Sequence, residues 1–158
     1  MTTHAIIPDC QIRAGDDVRF LTAIGNYLVK KQPDVIVNLG DFADMPSLSS
    51  YDVGKKSFEG RRYRTDIEAT HLAMEALLKP IEEFNARARK NKEKQYKPRM
   101  VLTLGNHENR INRAVNDDAK LEGVLSTNDL KYREFGWEVY DFLDVVVIDG
   151  VAYSHYFV

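Results

Sequence analysis

"DVIVNLGDFAD", residues 34–44, decides how this chain folds. Val35, Ile36, Val37 and Leu39 form an apolar run too short for a helix, rich in β-branched side chains, that stops at Gly40. Such a run reads as a strand buried on both faces. Gly40 permits a sharp turn, and Asp41 and Asp44 follow it. "RMVLTLGNHENR", residues 99–110, repeats the grammar: an apolar strand, Gly105, then Asn106, His107, Glu108 and Arg110. Residues 4–8, "HAIIP", give a third short strand, followed by Asp9 and Gln11.

Helical spacing fills the gaps between these strands. Val18, Leu21, Ile24 and Leu28 predict a helix over 17–31, with Asp16 or Asp17 as its cap. Ile67, Leu72, Leu77, Leu78 and Phe84 predict a longer one to about residue 90. Thr65 and Glu68 are expected to form its capping box, and Pro80 to kink it. Residues 107–116 read as a short helix, and 45–63 as a long loop of the kind that is usually functional or mobile. Segments 143–148 and 151–157, joined by Asp149-Gly150, predict a hairpin. Trp137 and Tyr140 read as core or hairpin residues. Strands alternating with helices predict an α/β sheet with helical crossovers, and ligands of such sheets bind beyond the carboxyl ends of the strands. The three polar clusters all fall there.

Composition narrows the class. At 158 residues, 44% hydrophobic and 29% charged, the chain reads as a single globular domain spanning 1–158. No apolar run approaches the roughly 20 residues of a membrane span. No signal peptide opens it, and the lone Cys10 allows no internal disulfide, so a cytoplasmic location is expected. Cys10 itself reads as packing, His4 as a terminal strand residue and His71 as a surface or packing histidine. Residues 55–64 carry five basic residues and one acid, and residues 87–99 seven and one, on an otherwise acidic chain. Such clusters read either as solvated surface or as a meeting place for an anionic substrate, a nucleic acid backbone included.

Carboxylates, an amide oxygen and imidazoles are ligands that suit Mn, Fe, Zn or Mg. "GDFAD" and "GNHENR", with Asp9 on the first strand, resemble the signatures of the calcineurin-like metallophosphoesterase family. The opening Pro8-Asp9-x-Gln11 and the loop "MPSLSSYDVGKKSFEGRR" at 45–62 resemble bacteriophage members. The resemblance covers residues 6–113 well and 143–156 loosely. It implies an α/β sandwich of sheets flanked by helices. It also implies hydrolysis of phosphate esters by a hydroxide bridging two divalent metal ions, Mn first and Mg, Fe or Zn as alternatives.

Roles follow position by position from that resemblance. Asp9 is implied as a ligand of the first metal, Asp41 as the bridging carboxylate, and Asn106 and His155 as ligands of the second. His107 is implied as the residue that protonates the leaving oxygen or stabilises the phosphoryl group, with Asp44 orienting it and Arg110 approaching the phosphate. Arg61 and Arg62, in the basic loop, are expected to bind substrate. Gln11 stands where the family usually has histidine, and reads either as a weak metal ligand or as a residue orienting a metal-bound water. The family's later Gly-His-x-His is absent, so the sequence reads as a truncated form whose apolar C-terminal strand is free to self-associate. The expected substrate is a nucleic acid or nucleotide phosphodiester. A serine/threonine-type protein phosphatase and a non-catalytic binding or assembly module are the alternatives.

Overall fold

The computed structural model describes residues 2–157. Four strands, β1 (His4–Ile7), β2 (Val35–Asn38), β3 (Arg99–Thr103) and β4 (Glu138–Tyr140), form one parallel sheet in the order β1-β2-β3-β4. Val35 pairs with His4 on one side and Arg99 on the other, so the three signature strands end level with one another. Helices α1 (Arg19–Lys31) and α2 (Tyr63–Asn91) make the crossovers, and α3 (Arg110–Asp117) follows β3. A separate hairpin, β5 (Val146–Ile148) and β6 (Val151–Tyr153), turns at Asp149 and Gly150, both at positive φ as expected.

Strand alternation explains the three layers. Ile36 and Leu102 face one side, where they pack with Leu21 and Leu28 of α1 and Met74, Leu77 and Ile81 of α2. Val35, Val37 and Val101 face the other, where Val146 and Ile148 of the hairpin cover them. A fully buried side chain of this kind contributes about 1.5–3 kcal/mol. The helices themselves cross closely: a side chain at Gly25 would overlap the Leu77 carbonyl and crowd Pro80.

The structure corrects several details of the sequence reading. β4 was not expected as a strand of this sheet; its Glu138 clasps Arg99 of β3 at 2.8 Å. No Thr65–Glu68 capping box forms, because α2 starts earlier, at Tyr63, and Glu68 pairs with Arg64 one turn away instead. α2 continues through Pro80 as one helix, and Leu72, counted among its apolar positions, is exposed. α1 has Val18 at its cap position, and Asp17 accepts from the Arg19 N–H at 3.0 Å. Within 45–63 lie two short 3₁₀ turns, at 46–48 and 56–58.

The two basic runs separate in space. Residues 87–99 end α2 and lead into the amino end of β3, away from the edge where the polar clusters gather. Residues 55–64 sit on that edge, where Arg61 reaches the Pro46 carbonyl. No helix among the described residues is long and apolar enough to cross a membrane.

Candidate metal centre and active site

Two glycines let the β2 and β3 loops meet. Gly40 turns at φ 86°, and a Cβ there would strike Gly105 N and the Thr103 carbonyl. A Cβ on Gly105 would overlap both the carboxylate and the amide of Asp41. Asp41 is buried and held at φ 47°, a left-handed conformation that Asp tolerates better than most residues. Its Oδ1 accepts the His107 N–H at 2.9 Å. Gly105→Ala is therefore expected to displace Asp41, lowering stability by about 1–3 kcal/mol through overpacking. Thermal melts with and without Mn check this: both the melting temperature and its response to metal should fall.

Asp9, Asp41 and His155 each offer one ligand atom, all within 4.8 Å of one another. His155 Nδ1 lies 2.6 Å from the Leu39 carbonyl, to which it donates. That bond fixes the tautomer and leaves Nε2 as a lone pair, the second-sphere arrangement usual for a metal-binding histidine. Nε2 then faces Asn106 Oδ1 at 3.0 Å and Asp41 Oδ2 at 3.6 Å. An imidazole nitrogen, an amide oxygen and a carboxylate oxygen converging at this edge are a donor set that fits a divalent metal. Gln11 contributes through its backbone: its N–H, at φ 49°, donates to the Asp41 carbonyl at 2.8 Å, while the residue itself is exposed.

His107 stands on the other side of Asp41. Its Nδ1 lies 2.6 Å from Asp44 Oδ1 and 3.0 Å from the Asp44 carbonyl, and its Nε2 lies 3.7 Å from Asp41 Oδ2. The Asp44 hydrogen bond raises the imidazole pKa above its usual value; burial opposes this and the Asp41 charge assists it. Burial would raise Asp44 in turn, but the hydrogen bond to His107 and the charges of Arg13, His107 and Arg110 leave it below the usual carboxylate range. Arg110 is buried, with Nη1 donating to the Asp44 carbonyl at 2.8 Å and Nη2 3.5 Å from His107 Nε2. Arg61 lines a small cavity against His107, whereas Arg62 is exposed and bonds back to the Arg61 carbonyl.

Glu108 received no role from the sequence, yet it ties this edge together. It is fully buried. Oε2 accepts from the N–H groups of Asp41 and Gly105, both at 2.9 Å. Oε1 accepts from the Ala43 N–H at 3.0 Å and the Tyr132 hydroxyl at 3.1 Å. The available signal was an acid between a strand end and a helix start, next to a candidate catalytic histidine. Cys10, His4 and His71 stand apart from the chemistry. Burial pushes the Cys10 thiol up to about 11. His4 contacts the Tyr153 hydroxyl, and His71 the Asp129 carbonyl.

Carboxylates, an amide and a histidine thus gather at the carboxyl edge of a parallel sheet, beside an acid-supported second histidine. Residues 3–158 match the family model of the calcineurin-like phosphoesterases, and the chain belongs to that family. Metal-dependent phosphoester hydrolysis is the general chemistry that membership carries. No curated protein matches the chain.

Proposed function

We propose that this protein is a Mn-dependent phosphodiesterase acting on nucleic acid or nucleotide phosphodiesters. The observation that carries this reading is the convergence of Asp9, Asp41, Asn106 and His155 beside the His107–Asp44 pair. A donor set of two carboxylates, one amide oxygen and one imidazole is oxygen-rich, which favours Mn over softer metals. Bound there, two such ions supply a nucleophilic hydroxide from water at neutral pH and offset charge on the phosphoryl oxygens.

The chain's own residues do the rest. Asp41, buried and fixed by the Glu108 and His107 contacts, presents one carboxylate to both halves of the centre. Leu39 holds His155 in the ligating tautomer. Asp44 keeps the proton on His107 Nδ1 and raises the pKa of the ring, so imidazolium persists further into the neutral range. His107 Nε2 is then the proton donor for the leaving oxygen. Arg110, anchored to the Asp44 carbonyl, adds positive charge next to that proton.

Metal titration tests the proposal. At 100 times its dissociation constant, Mn should stabilise the fold by about 2.7 kcal/mol. For a chain of this length that raises the melting temperature by about 5–10 °C. The Mn-loaded protein should hydrolyse bis-p-nitrophenyl phosphate. A melting temperature indifferent to Mn would remove the enzyme reading, and hydrolysis of p-nitrophenyl phosphate alone would remove the phosphodiesterase reading.

A further inference from the structure

We propose that a cavity lined by Arg13, Arg61 and Arg110 is a subsite for a second phosphate, carried on the leaving group of the substrate. The cavity measures about 80 Å³ and is also lined by Asp44, Pro46, Ser49, Asp52 and His107. A water takes about 10–15 Å³ of such space, so the cavity has room for several waters or one tetrahedral oxyanion. The inference rests on the phosphodiesterase reading for one point: His107 protonates the leaving oxygen. His107 and Arg110 both line the cavity, so a group bound there sits beside the leaving oxygen that His107 serves.

The three guanidiniums come from three distant pieces of chain. Arg13 Nε meets Asp44 Oδ2 at 2.6 Å. Arg61 donates from Nη1 to Asp52 Oδ2 at 2.9 Å and to the Pro46 carbonyl at 3.0 Å, and from Nε to the Ser57 carbonyl at 3.0 Å. It also lies over the Phe58 ring, 5.4 Å from its centroid. Arg110 spends Nη1 on the Asp44 carbonyl, and its Nε is buried with no partner among the described residues. A guanidinium has five N–H donors in a fixed fork, so several remain unspent here. Three arginines against two carboxylates leave the cavity positive before any proton on His107 is counted.

Arg61 Nη2 and both Nη groups of Arg13 are left unspent by these contacts, and a phosphate supplies acceptors in the bidentate geometry arginine prefers. The ligand class is therefore a phosphodiester whose leaving group bears a further phosphate. A nucleic acid strand and a nucleoside bisphosphate ester share that chemistry. Arg61 is the residue that selects it, because it lines the cavity and belongs to the basic run on this edge.

Two measurements on the full chain test the proposal. The first is hydrolysis, with Mn, of a dinucleotide with and without a phosphate on its leaving nucleoside. The phosphorylated form should have the lower KM by about tenfold to a hundredfold, the worth of a charge-assisted contact. Arg61→Ala should collapse that ratio towards one, and Arg61→Lys should restore part of it. Equal KM values in the wild type, or a ratio that survives Arg61→Ala, would overturn the subsite while leaving the phosphodiesterase reading intact.

The second is calorimetric binding of thymidine 3′,5′-bisphosphate against the monophosphate, with and without Mn. It reads the cavity even if catalysis fails. Tighter binding of the bisphosphate that Arg61→Ala removes supports the subsite; equal binding overturns it. A longer strand that binds tighter still identifies a nucleic acid, and one that does not identifies a free nucleotide. Melting temperatures of the variants exclude loss of fold.

Discussion

Asp41→Asn is expected to lower kcat/KM on a phosphodiester by ~10³-fold or more, the scale seen when a preorganised electrostatic group is removed from an active site. The same change should abolish the stabilisation by Mn. Asparagine keeps the shape, tolerates the left-handed backbone at φ 47°, and retains an oxygen for the His107 N–H. What it loses is the negative charge that Asp41 would offer to bound metal. The metal-free protein should respond in the opposite direction. Burial first and the Asp41 charge with it push the Glu108 carboxyl up, and Asp41 Oδ2 is itself a buried charge. Removing that charge should raise the melting temperature in EDTA by about 2–4 °C, equivalent to one kcal/mol. Melts in EDTA and in Mn, with initial rates, read all three effects. A variant that still gains stability from Mn, or keeps its rate, would take Asp41 out of the centre.

The sheet was legible where its pattern was local. β2 and β3 announce themselves as β-branched runs stopped by glycine, and the hairpin by Asp149-Gly150, because strand burial and turn chemistry act over a few residues. β4 was not legible. Its three residues include Glu138, and only the Arg99 partner, 39 positions away, makes sense of a charge in that strand. The capping box failed for a related reason. Thr65 and Glu68 have the right spacing, but a salt bridge from Arg64 claims Glu68.

The candidate site shows the same division. The family signatures named the groups that the structure gathers at the carboxyl edge. They could not say that Gln11 would act through its N–H, which is a matter of backbone angle. Nor could they say that Arg13, outside every motif, would close on Asp44. The basic runs look alike as charge patterns. Which of them reaches the site depends on the end of α2 at which each falls.

Glu108→Gln is expected to be the most damaging change of a single side-chain atom in this chain. The carboxylate takes four donors on two oxygens: Asp41 and Gly105 amides on one, the Ala43 amide and the Tyr132 hydroxyl on the other. A glutamine presents one oxygen and one NH₂; turned so that the NH₂ donates to the Tyr132 hydroxyl, it still leaves the Ala43 N–H facing a donor. At about 1–3 kcal/mol for an unsatisfied buried group, the cost is about 1–3 kcal/mol. That lowers the melting temperature by about 2–12 °C. Because three of those donors hold the Asp41 and Gly105 loops, Mn affinity should fall too, by about the 10–100-fold typical of lost outer-sphere support. The pH dependence carries a separate signature. Burial first, and the Asp41 charge with it, raises the folded pKa of Glu108, against the pull of the Ala43 N–H. The folded state therefore holds this proton more tightly than the unfolded chain. The stability it contributes is fully present below the unfolded pKa and is lost as pH rises through the folded value. Glutamine cannot titrate, so the variant should lose that part of the slope. Urea melts of wild type and variant across the acidic range, in EDTA, compare the slopes directly. Equal slopes and equal midpoints would mean that the four hydrogen bonds to Glu108 do not hold this edge together.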